Sequence, residues 1–287
     1  MTDKVQATSY GRSIGAILTD SGKLSADEME KILQLQEAEN LRFGDAAINL
    51  GLLTHADIQY ALASQYDYPY LLKDDKRVSD MLVAAYDPYC RQVETLRKLR
   101  SQLMIRRLST ERPGRKMLSF ISPERGEGRS FLAANLAIVF SQLGERTLLI
   151  DADMRHPFQH ELFKLNNRRG LSSFLAGRDA VAEIQRVDSF VDLAIMTSGP
   201  TPPNPQELLG RPALTDFLGS INKEYDVILI DTPAASDFSD AHVVAARAGA
   251  AIILARKNYT LVSQIKLQAE SMTRSGIEVI GAILNEF

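Results

Sequence analysis

Residues 117–130 read MLSFISPERGEGRS and run on into FLAANLAIVFSQLG. A short apolar run that ends in a glycine-rich turn and restarts as an apolar helix pattern is a strand–loop–helix unit. A chain that contains one is committed to a sheet with helices packed across it. Such a turn presents backbone N–H groups at a helix N-terminus, where phosphate binds. Gly126 and Gly128 let the backbone approach a ligand closely. Ser130 stands where a phosphate loop places the hydroxyl that reaches Mg²⁺. Pro123 stands where such a loop has its first glycine, and Arg129 where it has lysine.

Further short apolar runs follow at 147–151, 193–197, 227–231, 251–256 and 279–284, with helical patterns between most of them. That alternation predicts a parallel sheet wrapped by helices. The run at 147–151 ends in Asp151-Ala152-Asp153, and the run at 227–231 ends in Asp231. Ligands of open α/β sheets bind at these strand ends. Three carboxylates beside a phosphate loop offer hard oxygen ligands of the kind Mg²⁺ takes.

With 287 residues, the chain is long enough for two domains. Its 45% hydrophobic and 24% charged composition excludes disorder and a fibrous repeat. One cysteine, Cys90, excludes an intrachain disulfide and suits a reducing compartment. The N-terminus shows no apolar core of a secretory signal. No apolar run approaches the length of a membrane span. Charge is uneven: residues 1–90 carry 8 Lys and Arg against 14 Asp and Glu, and residues 91–116 carry 9 against 2. The whole-chain charge does not suggest nucleic-acid binding.

The acidic head is a repeat. Sliding residues 12–36 by 29 positions aligns Gly15 with Gly44, Gly22 with Gly51, Leu24 with Leu53 and Leu33 with Leu62. Ser25 with Glu28, and Thr54 with Asp57, form a capping-box pair before each long helix. Each copy predicts a short helix, a glycine turn and a longer helix with Met29 and Leu33, or Ile58 and Leu62, turned inward. The divisions expected are a helical repeat domain at 1–72, a linker and basic helix at 73–110, and an α/β domain at 111–287.

On its motifs, the body resembles the bacterial tyrosine kinases of capsule and exopolysaccharide export, relatives of the Walker-type partition ATPases. The motifs are the loop from Arg125 to Ser130, IDADMRHP from Ile150, ILIDTP from Ile228, PPNPQELL from Pro202 and GAILN from Gly281. The whole chain is most similar to the EpsG-type chain-length-determinant kinases. The head resembles the N-terminal domain of type II secretion and type IV pilus ATPases, on its glycine–leucine–glutamine spacing and on Gln65-Tyr66-Asp67-Tyr68-Pro69-Tyr70.

The resemblance implies a P-loop NTPase-type parallel sheet and an ATP·Mg²⁺ site. Arg125, Gly126, Glu127, Gly128, Arg129 and Ser130 would hold phosphates. Ser130, Asp153 and Asp231 would hold the metal, with Asp151 orienting or deprotonating the attacking group and Asn285 near adenine. Glu94, Arg97 and Arg100 match the family's Glu-x-x-Arg-x-x-Arg oligomer motif, at a spacing that shares one helical face. The implied partners are a membrane-embedded polysaccharide co-polymerase and further copies in a ring, so the expected location is cytoplasmic, at the inner membrane through that partner. Some of the head's relatives bind cyclic di-GMP through an arginine before the glycine, which implicates Arg12, Gly15, Arg42 and Gly44.

Arg129 departs from the family's lysine, and no tyrosine follows Tyr259, where the family carries its phosphorylated cluster. Two readings therefore stand: a kinase acting on tyrosines of a partner or of its own earlier segments, and a nucleotide-dependent assembly switch. Tyr86 and Tyr89 flank Pro88, which predicts an extended, accessible segment. Tyr225 precedes a strand and is expected to be shielded.

Overall fold

The computed structural model describes residues 13–66, 68–108, 116–236 and 238–286. The chain divides into two compact units, Met1–Leu72 and Lys73–Phe287.

In the first unit, α1 (Ile14–Asp20) and α2 (Ala26–Glu39) form one repeat, and α3 (Phe43–Asn49) and α4 (His55–Gln65) the other. Both long helices start in capping boxes. Glu28 accepts the Ser25 N–H at 2.8 Å while the Ser25 hydroxyl accepts the Glu28 N–H. Asp57 and Thr54 repeat this at 2.9 Å. The two repeat-related glycines also match in packing. A Cβ added at Gly15 would stand 2.5 Å from Met29 Cε, and one at Gly44 would stand 3.2 Å from Ile58 Cγ2. Each glycine thus leaves room for an apolar side chain from the long helix of its own repeat.

The inward positions are Ile32 and Ala61, both fully buried, whereas Leu33 is 48% exposed. The sequence pattern predicted Leu33 and Leu62. Two adjacent apolar residues on a helix differ by about 100°, and the stripe through Met29 selects the residue three positions on. Tyr60 packs edge-on against Tyr70 with centroids 5.7 Å apart, while Tyr66 is exposed. Removing either cap, by Ser25→Ala or Thr54→Ala, is expected to cost about 1 kcal/mol. Denaturant unfolding followed by circular dichroism measures this, and an unmoved midpoint would show that the caps do not hold the helices.

The second unit starts with α5 (Val83–Tyr86), α6 (Arg91–Leu103) and a π-turn, Met104–Leu108. The strands and helices that follow are β1 (Met117–Ile121), α7 (Arg129–Ser141), β2 (Thr147–Asp151), α8 (Gln159–Phe163) and α9 (Leu171–Leu175). Next are β3 (Gln185–Arg186), β4 (Leu193–Met196), α10 (Pro205–Leu209), α11 (Pro212–Ile221) and β5 (Val227–Asp231). α12 (Asp240–Ala248), β6 (Ala250–Arg256), α13 (Val262–Arg274) and β7 (Glu278–Asn285) close the unit.

The described strands make one sheet in the order β3-β4-β2-β5-β1-β6-β7. All neighbours are parallel except β3 with β4. β1, β2 and β5 are buried at every position, as strands covered on both faces must be. α7 is buried along almost its whole length, from Leu132 to Ser141. α5 is tied to it: the Ala84 N–H donates to Asn135 Oδ1 at 3.0 Å, and Gln142 Nε2 donates to the Ala84 carbonyl at 3.1 Å. Past α6, buried Arg107 donates to the Met117 carbonyl at 3.3 Å and to Glu278 at 2.5 Å.

Candidate functional site

Register brings the acids together. Asp151 and Asp231 are the final residues of β2 and β5, and they are partners across the two strands. Both are fully buried, and Asp153 is 5% exposed. Two carboxylates side by side away from water resist ionisation. Burial, then the Asp231 charge, pushes the Asp151 carboxyl well above its usual range, although backbone N–H groups pull it down. Burial pushes Asp231 up to about 6 against the pull of the Ser130 hydroxyl and the Arg129 charge.

Each acid has a distinct setting. Asp151 accepts the N–H groups of Asp153 at 3.1 Å, Phe158 at 3.1 Å and Gln159 at 3.0 Å. It thereby shapes the turn that carries Asp153. Asp153 Oδ1 accepts the N–H groups of Arg155 and His156 at 3.1 and 2.9 Å. Asp231 Oδ2 accepts from Gln159 Nε2 at 2.8 Å, while its Oδ1 is buried with no hydrogen-bond partner. Gln159 also donates to the Ser130 carbonyl at 3.1 Å. Sequence reasoning missed this fully buried glutamine. Nothing in PFQHEL marks a polar residue that turns into a cluster of acids.

The loop between β1 and α7 has Gly126 at φ +77° and Gly128 at φ +88°, a left-handed backbone that favours glycine. Among the described residues, the backbone N–H groups of Arg125 through Ser130 donate to no other protein group. The loop is braced from outside. Gln264 Nε2 donates to Glu124 at 2.7 Å, the Thr260 hydroxyl meets buried Glu127, and Asn285 Nδ2 donates to the Glu127 carbonyl at 3.2 Å. Asn285 therefore holds the loop while also lining the cavity beside it.

Arg129 is 7% exposed. Its guanidinium donates to the Thr232 carbonyl at 2.8 Å, the Glu124 carbonyl at 2.9 Å and the Ser122 hydroxyl. Burial pushes its pKa down, and Asp231, Asp153 and Glu127 pull it back up. Beside this loop lies a cavity of about 690 Å³, lined among others by Arg125, Gly126, Ser130, Asp153 and Asn285. That volume lies in the range of small-molecule sites. Asp151 and Asp231 stand behind the lining.

No described group of three or more His, Cys, Asp or Glu side chains is arranged to hold a metal by itself. The donors present fit Mg²⁺ bound together with phosphates, since that ion takes one or two carboxylates and completes its shell with phosphate and water. The unpaired amides and the bare Asp231 Oδ1 are the groups such a complex would satisfy.

The other expected residues lie apart from this cluster. On α6, Arg97 pairs with Glu94 at 3.2 Å, and Arg100 donates to the Val139 carbonyl at 2.8 Å. One of the three side chains is therefore turned onto the unit's own α7. In the head, Arg42 is exposed at the start of α3, and Gly15 and Gly44 sit in helix packing. Arg12 lies outside the described residues. The tyrosine expectation is corrected in part. Tyr86 ends a helix, and its hydroxyl donates to the Val78 carbonyl at 2.8 Å. Tyr89 is 53% exposed. Tyr225 packs against the core, as expected.

A family model described as an AAA domain matches residues 115–268. The Staphylococcus aureus protein named "Putative tyrosine-protein kinase CapB" is 33% identical over 193 residues, covering 67% of this chain and 83% of CapB. The tyrosine-protein kinase Etk of Escherichia coli K12 is 33% identical over 203 residues, 71% of this chain. The chain spans only 28% of the length of Etk. The solved kinase domain of Etk superposes with a TM-score of 0.69 at 31% identity, covering 77% of this chain and 85% of that domain. With its P-loop NTPase-type sheet and these relatives, the chain belongs to the bacterial tyrosine-protein kinase family.

Proposed function

We propose that the second unit binds ATP with Mg²⁺ and transfers the γ-phosphoryl group to tyrosine hydroxyls, as part of polysaccharide export. The observation that carries this reading is the run of unpaired loop amides facing a cavity beside register-paired acids. Amides of Arg125 through Ser130 bind phosphate oxygens. The Ser130 hydroxyl and Asp153 would hold Mg²⁺, with the buried carboxyl of Asp231 behind them. When bound, Mg²⁺ neutralises charge on the phosphates. Phosphoryl transfer depends on positioning and charge neutralisation more than on a strong base. Asp151, with both oxygens committed to backbone N–H groups, supplies position: it fixes the turn bearing Asp153. The attacking tyrosine oxygen bonds to the γ-phosphorus as the bond to the β-phosphate oxygen breaks, ADP leaves with that electron pair, and the phenolic proton passes to solvent.

Family membership supports a membrane co-polymerase of chain-length-determinant type as the partner. It also supports assembly of several copies through Glu94, Arg97 and Arg100. No described helix is long and apolar enough to cross a membrane, so the inner-membrane location rests on that partner. For the head, we favour docking. Its glycines already have a packing role, and a cyclic di-GMP reading rests on Arg42. A slower nucleotide switch is the second reading, favoured by the locked geometry of Arg129.

Incubation with γ-labelled ATP·Mg²⁺ and a tyrosine-containing copolymer, followed by mass spectrometry, tests the kinase reading. Label is expected on copolymer tyrosine and, within the second unit, at Tyr89 before Tyr86 or Tyr225. Nucleotide binding with no phosphotyrosine anywhere would replace the kinase by the switch.

A further inference from the structure

The lysine of a phosphate loop carries a mobile positive charge to the phosphates. In this chain that position is filled by a side chain already spoken for. Arg129 reaches from the loop's start, at Ser122 and the Glu124 carbonyl, across to the Thr232 carbonyl just past β5. A planar guanidinium with those acceptors is a brace between two strand ends, since its fork directs donors along fixed lines. Of the loop's other charged side chains, Glu124 is held by Gln264 and Glu127 by Thr260. Arg125 differs. It is exposed, lines the cavity, and has no hydrogen-bond or ion-pair partner among the described residues.

We infer that the two duties of the loop lysine are divided in this chain: Arg129 is a positioning residue that ties the loop to the end of β5, and the Arg125 side chain is the cation that contacts the terminal phosphates of the nucleotide. The inference rests on the ATP·Mg²⁺ reading above and names the contact that the reading leaves open. A guanidinium can pair with two phosphate oxygens at once, so its loss should fall on the polyphosphate end.

Calorimetric titration of the full chain with ATP, ADP and AMP, each with Mg²⁺, tests this on Arg125→Ala, Arg125→Lys and Arg129→Lys. For Arg125→Ala, ATP affinity should fall about 10- to 100-fold. ADP should weaken less and AMP hardly at all, with the ligand-free melting temperature unchanged. Arg125→Lys should recover part of the loss. Arg129→Lys should lower the ligand-free melting temperature, because lysine cannot span the three acceptors, and should leave the ratio of ATP to ADP affinity near wild type. If Arg125→Ala binds ATP within twofold of wild type, or Arg129→Lys changes the ATP-to-ADP ratio without changing ligand-free stability, the division of duties is wrong. Wild type that binds no ATP would remove the underlying reading as well, and that outcome differs from both.

Discussion

Asp231→Asn is expected to stabilise the protein without ligand while removing the proposed phosphoryl transfer. The carboxyl of Asp231 lies near 6 in the fold because burial raises it, against about 4 in an unfolded chain. An acid whose folded value is raised costs stability when ionised. That cost is absent below pH ~4, grows between ~4 and ~6, and is fully present above. Ligand-free stability should therefore fall as pH rises through that window. At neutral pH the difference is of order 2–3 kcal/mol at about 1.4 kcal/mol for each pH unit. Asparagine keeps the shape and discards the charge. It can turn its oxygen to the Gln159 Nε2 that now serves Oδ2. The melting temperature should rise roughly 5 °C or more. Transfer should fall about 10²-fold or more, as expected when preorganised charge stabilisation is lost. Calorimetric melting across pH, paired with a transfer assay, reads both effects. A variant that is destabilised at neutral pH would show that the buried acid is not under electrostatic load.

The parts of the fold that were legible in the sequence are those dictated by burial. β1, β2 and β5 begin and end where the apolar runs predicted, because a strand covered on both faces has no polar position to blur its limits. β3 was not legible. It has two residues, Gln185 and Arg186, pairs antiparallel at the sheet edge, and owes its place to the chain around it. In the head, the capping boxes are local and could be read directly. The choice of Ile32 over Leu33 depends on packing across helices and could not. Within the site, the acids and the loop were legible because chemistry demands those residue types at strand ends. The roles of Gln159 and Arg129 were not. Each is defined by partners far along the chain, Asp231 for one and Thr232 for the other. Tyr86 was misjudged for a nearer reason: the neighbouring Pro88 suggested exposure, but the Val78 carbonyl, eight residues back, holds its hydroxyl.

The claim that joins these observations is that the amides and acids at the strand ends form an ATP·Mg²⁺ site. A ligand that binds only the folded state adds roughly 2.7 kcal/mol at about 100 times its dissociation constant. For a unit of this size that is a shift of roughly 5–10 °C. The shift should need both components. Nucleotide without metal leaves phosphate charge near Asp153 and Asp231, and metal without nucleotide finds no closed set of protein donors among the described residues. The most direct measurement is therefore thermal unfolding of the wild-type chain with ATP and Mg²⁺ together, with each alone, and with neither. The account predicts a rise of roughly 5–10 °C only when both are present at saturation. A melting temperature unmoved by ATP·Mg²⁺ would contradict it.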